Sequence, residues 1–517
     1  MPASKRHFTA LVLVLAASSA AACSSFGTTD EPASSAPPPG QSADGGPSET
    51  PKAPAVTGTP DSSEVNETYG VFVAPRGTAS GDGSREHPLN TVQAGIERGK
   101  MVGKRVYVCS GTYREALTLA DSIAIIGGAD CSGPTWKLGS TKSRIESPTS
   151  PAVSAKDIAS PTRIEGLDVV APNATEPSAS SIGLLADHSA GLVIAGSRIT
   201  AGDGASGTDG AEGIQLTQSA SAVGGSPIPA GKCTIGVGVL RQERCGLLEN
   251  LPPAGAPGGV SVCSGAAGHD GLPGGKGGTG GLHEAKADLH WGQVLSAPQY
   301  GDARPLPATT GANGADGPPG AELGSLSVNG YAGSNGVAGT DGKGGGGGRG
   351  GTGSAPQGDP NAAGTWFGNG GEGGGAGGCP GLAGTAGTGG GASIALALID
   401  SPLVVDGAQL ISGRAGAGGR GTFGSAPTAG AAPGAALSAN SARFGGNGGF
   451  AGISTNGSSG PSFGVLHTGA APKITGSTKM TPGQGGAAID SRSTEVLGTT
   501  RTIPASPAGL SEQVHAL

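Results

Sequence analysis

The chain of 517 residues contains 104 glycines but only 3% aromatic and 13% charged residues, so it lacks the large side chains that fill the core of an ordinary globular enzyme. Its formal net charge is -7, with Lys and Arg scattered along the chain. There is no basic stripe of the kind a phosphate backbone requires, which sets nucleic acid aside as a partner.

At the N-terminus, Lys5, Arg6 and His7 precede the short apolar run FTALVLVLAA and the small residues SSAAAC, the pattern of an export signal over residues 1–22. The run Ala20, Ala21, Ala22, Cys23 resembles the lipobox of bacterial lipoproteins, with Ala20 where that family usually has Leu. The resemblance implies acylation of Cys23 and attachment to a membrane through the lipid; Ser24 in place of Asp implies transport to the outer membrane. Plain secretion after Ala22 is the alternative. Residues 23–66, rich in Pro, Ser, Thr and Gly with almost nothing to bury, read as a disordered tether.

Order is predicted from residue 67. VFV reads as a short strand and GTASGDGSREHP as a turn-rich loop. Leu89, Val92 and Ile96 fall on one face of an amphipathic helix, and RVYVC, ALTL and SIAII follow as brief strands. This order, with the motifs H-P-L-x-T-V-Q-A-G-I, V-Y-V-C, G-T-Y-R-E and I-I-G-G, is similar to the N-terminal cap and first turn of right-handed parallel β-helix proteins of the pectate-lyase-like superfamily. The resemblance covers about sixty residues. It implies an all-β solenoid whose open end is covered by the helix, protecting unpaired strand edges.

Internal repeats agree with a stacked architecture. SIGLLADHSAGLVIAGSRITAGDG from Ser181, SIALALIDSPLVVDGAQLISGRAG from Ser393 and SFGVLHTGAAPKITGSTKMTPGQG from Ser462 each give an apolar strand, a polar turn and a β-branched residue two before a glycine. The glycines are Gly196, Gly407 and Gly476, with an earlier copy at Gly166. Three positions on stand Val169, Ile199 and Leu410, but Lys479 in the last copy.

The repeats are separated by glycine-rich insertions, predicted at 205–391 and 417–460 around a coil at 392–416, with a last coil at 461–517. Insertions of this kind map to one face of a solenoid. Within them glycine recurs every third residue, from Gly265 to Gly280, from Gly330 to Gly351 and from Gly375 to Gly390. Three is the period of a polyproline II helix. The triplets are too short and Pro-poor for collagen. They resemble the polyglycine II bundles of glycine-rich antifreeze proteins and the repeats of PE-PGRS proteins, although the PE module is absent. The expectation is a bundle of short helices carrying bare glycine edges.

Setting Cys23 aside, Cys109, Cys131, Cys233, Cys245, Cys263 and Cys379 form an even set suited to disulfides in an exported chain, with fifteen possible pairings. Cys109 and Cys131 bracket the first coil and are paired here; the other four sit in the large insertion as staples. Zinc is excluded by the lack of CxxC and of a nearby His pair. No Walker loop, calcium β-roll or serine elbow survives inspection of its spacing. Glu165, Asp168, Arg198, Asp406 and Lys473 are expected on outward strand positions, with Asp187, His188 and His467 near turns and Glu86 and His87 in the cap loop. They form no tight acidic cluster, so no catalytic residue, cofactor or metal is assigned. The functional expectation is a non-enzymatic surface lipoprotein for adhesion or surface-layer interaction, with a glycan or protein as partner. The alternatives are a polysaccharide-active or glycan-binding β-helix and, more remotely, binding to ice or crystal surfaces.

Overall fold

A computed structural model describes residues 58–226, 232–233, 254–265, 267–285, 293–296, 308–355, 364–367, 369–435 and 442–517. Cys23, Cys245 and the predicted signal and most of the tether fall outside these. Strands predominate, and Val92–Val102 is the single α-helix among the described residues. The fold is all-β.

Three parallel sheets dominate, and the chain visits them in rotation. The first contains Gly70–Thr78, Arg105–Cys109, Ala124–Asp130, Thr162–Glu165, Leu192–Ala195, Val404–Asp406 and Lys473–Thr475, with Lys137–Leu138 antiparallel at its side. The second contains Thr112–Tyr113, Ser143–Glu146, Leu167–Val170, Arg198–Thr200, Gln409–Ile411 and Lys479–Thr481. The third contains Leu117–Thr118, Val153–Lys156, Ser181–Asp187, Ser393–Ile399, Ser462–His467 and Ser511–Ala516.

Each sheet stacks one inward residue of every strand directly over the next. In the first sheet the ladder is Val71, Val106, Ile125, Ile164, Ile194, Val405 and Ile474. In the second it is Tyr113, Ile145, Val169, Ile199, Leu410 and Met480. In the third it is Leu117, Val153, Leu184, Leu396, Val465 and Val514. Apart from Ile474 and Val514, which are exposed at the end of the stack, the three ladders meet in one core. β-Branched residues suit this because their stiff side chains pack well on neighbours one strand away. Burying each fully enclosed Val, Ile or Leu of these ladders contributes roughly 1.5–3 kcal/mol.

The glycine of each repeat has a conformational reason. Gly166, Gly196, Gly407 and Gly476 stand between a first-sheet and a second-sheet strand with φ of 65°, 46°, 57° and 62°, left-handed values that strain a residue with a Cβ. In the last copy the inward residue is Met480, not Lys479, because one extra residue separates it from Gly476. Lys479 faces solvent.

The helix covers the first coil with Val92 and Ile96 buried against Val73 and Val106. It begins after Leu89, which is buried but extended and bridges to Val73. Thr91 caps it by accepting from the Ala94 N–H at 3.2 Å, and Gly103 ends it in the left-handed conformation. Glu115, from the following coil, accepts from the Val92 and Gln93 N–H groups at 2.7 and 2.9 Å.

A second, smaller core lies outside the first sheet, where Phe72, Tyr107 and Ile126 are covered by Val65 and Trp136. The Trp136 ring meets Phe72 edge-on at 4.9 Å. Residues 59–69 are fastened here by the Arg105–Glu64 ion pair at 2.6 Å and by the Tyr107 hydroxyl, which donates to the Glu64 carbonyl at 3.0 Å. A disulfide joins Cys109 to Cys131, the pair singled out by the sequence, with Cα atoms 5.7 Å apart.

Candidate functional surface: the glycine-rich body

All the long insertions leave the stack at the same place, between a second-sheet and a third-sheet strand: after Arg198–Thr200, after Gln409–Ile411 and after Lys479–Thr481. The first two are glycine-rich. The third holds the antiparallel hairpin Arg492–Val496 and Thr499–Ile503.

Residues 369–391 run through the middle of the glycine-rich body and are almost wholly buried. Their N–H groups take three directions in rotation. Gly374 and Gly377 donate to Gly275 and Leu272, Gly375 and Gly378 to Arg443 and Gly446, and Gly373 and Ala376 to Gly225 and Ala222, all at 2.8–3.1 Å. Their carbonyls accept in the same rotation: Gly375 and Gly378 from Gly348 and Gly345, Ala376 and Cys379 from Ala431 and Thr428, and Gly374 from Gly259. Each segment therefore has a period of three in its bonding, and the buried matter between segments is peptide groups rather than apolar side chains.

Here glycine is needed for closeness. A Cβ built on Gly375 would lie 1.9 Å from the Ala431 carbonyl oxygen, and one on Gly378 2.2 Å from that of Thr428. In GTDGKGGGGGRGGTGS the successive glycines 344, 345, 346, 347 and 348 face Asp270, Gly446, Thr309, Pro273 and Arg443, so every side of this segment touches a neighbour. Two of the sequence registers are shorter than they read. Gly265 and Gly268, with φ of 117° and 80°, and Gly330, with φ of 102° in the hairpin Ser325–Ser327 and Gly330–Ala332, belong to turns.

The residues between the glycines carry a second function that sequence reasoning missed. Asp203 and Asp209 accept from the Arg414 and Arg420 N–H groups at 2.7 Å, Asn313 and Asp316 from Phe450 and Ile453 at 3.0 and 2.7 Å, and Asp341 from Ala383 at 2.7 Å. Thr428 and Ser425 do the same for Cys379 and Leu382. Short polar side chains thus satisfy N–H groups that have no neighbouring carbonyl, and a preference for Ser, Thr, Asp and Asn between glycines is the signal that could have revealed them. Glu372 is the one buried carboxylate among the described residues of this body and accepts from the Ala442 N–H at 2.8 Å.

Four devices hold the body. A disulfide joins Cys263 to Cys379, beside Leu216 and Leu382. Cys233 lies in the strand Lys232–Cys233, paired antiparallel with Gly364–Phe367. From the hairpin, Arg492 donates to the Gly421 carbonyl and stacks over Phe423, while Arg501 donates to the Phe423 carbonyl at 2.7 Å and stacks over Phe450. Burial pulls the Arg501 guanidinium below its usual range, and Asp316 at 3.7 Å acts in the opposite sense. Finally, the hairpin Ser325–Ala332 lays Tyr331 and Leu326 on the outside of the third sheet against Ile182 and Ile394.

The outward residues marked in the sequence are dispersed and engaged. Glu165 accepts from Arg163 at 2.6 Å, Asp168 from Arg144 at 2.9 Å, and Asp406 from the Thr475 hydroxyl at 3.1 Å; Arg198 donates to Gln409 at 3.0 Å. Lys473 is exposed, and Glu86 and His87 lie on the exposed loop before Leu89. Asp187 and His188 pair at 2.7 Å, with Asp400 at 3.9 Å. His467 is not on a turn surface: it stands in register with the inward Leu398 and is 6% exposed. Among the described residues no group of three His, Cys, Asp or Glu side chains could hold a metal ion, and no helix is long and apolar enough to cross a membrane. A cleft of about 310 Å³ lies between Pro319–Glu322, the row Thr455–Ser459 and residues 504–510. Asn456, Ser458 and Ser459 on its floor already donate to Pro504, Ser334 and Ala487. The chain matches no protein-family model, no curated protein and no solved structure.

Proposed function

We propose that this is a non-enzymatic cell-surface lipoprotein, anchored through Cys23, in which a short right-handed parallel β-helix of the pectate-lyase-like kind displays a polyglycine II bundle for adhesion or surface-layer interaction. The rotation of the chain through three parallel sheets supports the β-helix reading. Bonding that repeats every three residues supports polyglycine II. The observation that carries the function is that the polar groups of the bundle are spent on holding neighbouring segments together, while the ionic side chains on the stack pair locally. The chain is built to present a body rather than to assemble a reacting centre. Its partner is then a surface glycan or protein, and its membrane contact is the lipid.

Display of the full chain on a non-adherent bacterium, compared with Gly378→Val at equal surface amount, tests this. Adhesion to glycan- or protein-coated surfaces is expected for the first and lost in the second. Turnover of an acidic polysaccharide with calcium supplied would overturn the reading, and thermal hysteresis would replace adhesion with ice binding. Incorporation of labelled fatty acid, abolished by Cys23→Ser, checks the anchor.

A further inference from the structure

We infer that the stack of coils is the template on which the glycine-rich body orders, the second sheet fixing which segments become neighbours and in what register. This rests on reading that body as an ordered bundle. A glycine-rich segment carries almost no side-chain code: sliding one against another by three residues restores the same contacts, as in any flat, Gly-rich pairing. Ordering it is also entropically expensive. Something outside the bundle must choose the register.

The second sheet does so without interruption. Its strands pair Val170 with Thr200, Thr200 with Ile411 and Ile411 with Thr481. Just beyond, Ala171 donates to Thr200, Ala201 to Ile411 and Ser412 to Thr481, at 2.9, 2.9 and 3.2 Å. The same neighbours then continue at every third residue: Ala174 to Asp203; Gly204, Gly207 and Gly210 to Arg414, Ala417 and Arg420; Ala415 to Gln484. The spacing changes from two to three while the order of neighbours and the offset between them stay constant. Asp203, Asp209 and Gln215, six residues apart, hold the intermediate N–H groups of Arg414, Arg420 and Ala426.

The returning ends are set in the same way. Gly391, Gly416, Gly460, Gly486 and Gly509 form a chain of bonds in which each later N–H from Gly416 onward meets the preceding carbonyl. A serine at the start of each of the last three third-sheet strands then clasps the departing segment. Ser393 donates to the Gly202 carbonyl at 2.6 Å and accepts from the Gly413 N–H at 2.8 Å; Ser462 donates to Gly413 at 2.8 Å and Ser511 to Gly483 at 2.7 Å.

Pulse-labelling hydrogen exchange during refolding of the full chain, disulfides intact, tests the inference. Amides of Ile194, Leu396 and Leu410 are expected to gain protection before those of Gly375, Gly378 and Gly445. Protection of the glycines first, or together with the stack, would overturn it; glycines that never become protected would overturn the ordered-bundle reading as well. A native-state comparison provides a second arm. Gly378→Val should leave exchange in the stack unchanged, whereas Ser393→Ala with Ser462→Ala should speed exchange at the glycines by about tenfold or more. No change at the glycines in the serine variants would mean that the bundle does not depend on the stack, and equal effects in both directions would mean that the two order as one unit; either would overturn the inference.

Discussion

At the scale of single residues, glycine does two unlike jobs that composition alone merges. At the corners of the stack it supplies a left-handed conformation; in the bundle it supplies absence of a side chain. Gly378→Ala should therefore destabilise the bundle by at least about 1–3 kcal/mol, as overpacking does, because its Cβ would press on the Thr428 carbonyl. Gly133→Ala, where a Cβ would meet nothing within 4 Å, should stay within about 0.5 kcal/mol. Chemical denaturation of both variants checks the contrast. A second residue-scale prediction concerns Glu115. Removing its acceptor oxygens in Glu115→Ala should cost about 1–2 kcal/mol, as loss of a helix cap does, and Glu115→Gln less. Burial raises the Glu115 carboxyl above its ordinary value of 4.5, with the two N–H groups opposing. A raised pKa means that the folded state holds the proton more tightly. This contribution is therefore complete below about 4.5 and is lost as pH rises through the folded value. A pH titration of stability in which Glu115→Gln flattens that slope would check the sign.

At the scale of elements, the sequence carried the three parallel sheets far better than the glycine-rich body. The alignment of Ser181 with Ser393 and Ser462 is the paired register of the third sheet, whose strands read as near-continuous apolar runs because both faces are buried. It missed Ser511, which extends that series, since SEQVHA lies at the end of the stack and is mostly polar. In the last copy the three-residue spacing lands on Lys479, one short of the inward Met480. Backbone bonds of the glycine-rich segments recur every third residue, but glycine periodicity could not say which segment lies beside which, because a residue without a side chain records no neighbour. The serine clasps and Asx bridges were invisible for a related reason: in a chain so rich in Ser, Thr and Asp, their spacing stands out only when the partner N–H is known. In the stack, Ile194→Ala should cost about 2–5 kcal/mol, since the residue is fully buried in its ladder between Ile164 and Val405. Thermal unfolding followed at the stack's own amides measures it.

For the molecule as a whole, one corner of the stack launches every long insertion, so the glycine-rich body is carried to one side and gripped again by the third insertion through Arg492 and Arg501. The Cys263–Cys379 bond crosses between segments far apart in sequence. Replacing both cysteines by Ser should destabilise the glycine-rich body by about 2–5 kcal/mol while leaving the transition of the stack in place, as followed by thermal unfolding.

A core made of peptide groups also has its own temperature dependence. Exposing apolar surface raises the heat capacity on unfolding, and exposing polar surface lowers it. The ladders of Ile, Val and Leu should give the stack an ordinarily curved stability profile that weakens in the cold. The bundle, burying amides against amides, should unfold with a much smaller heat-capacity change and retain its order on cooling. Scanning calorimetry should accordingly resolve two transitions with different heat-capacity steps, and near freezing the glycine-rich body should be the part of this protein that loses least.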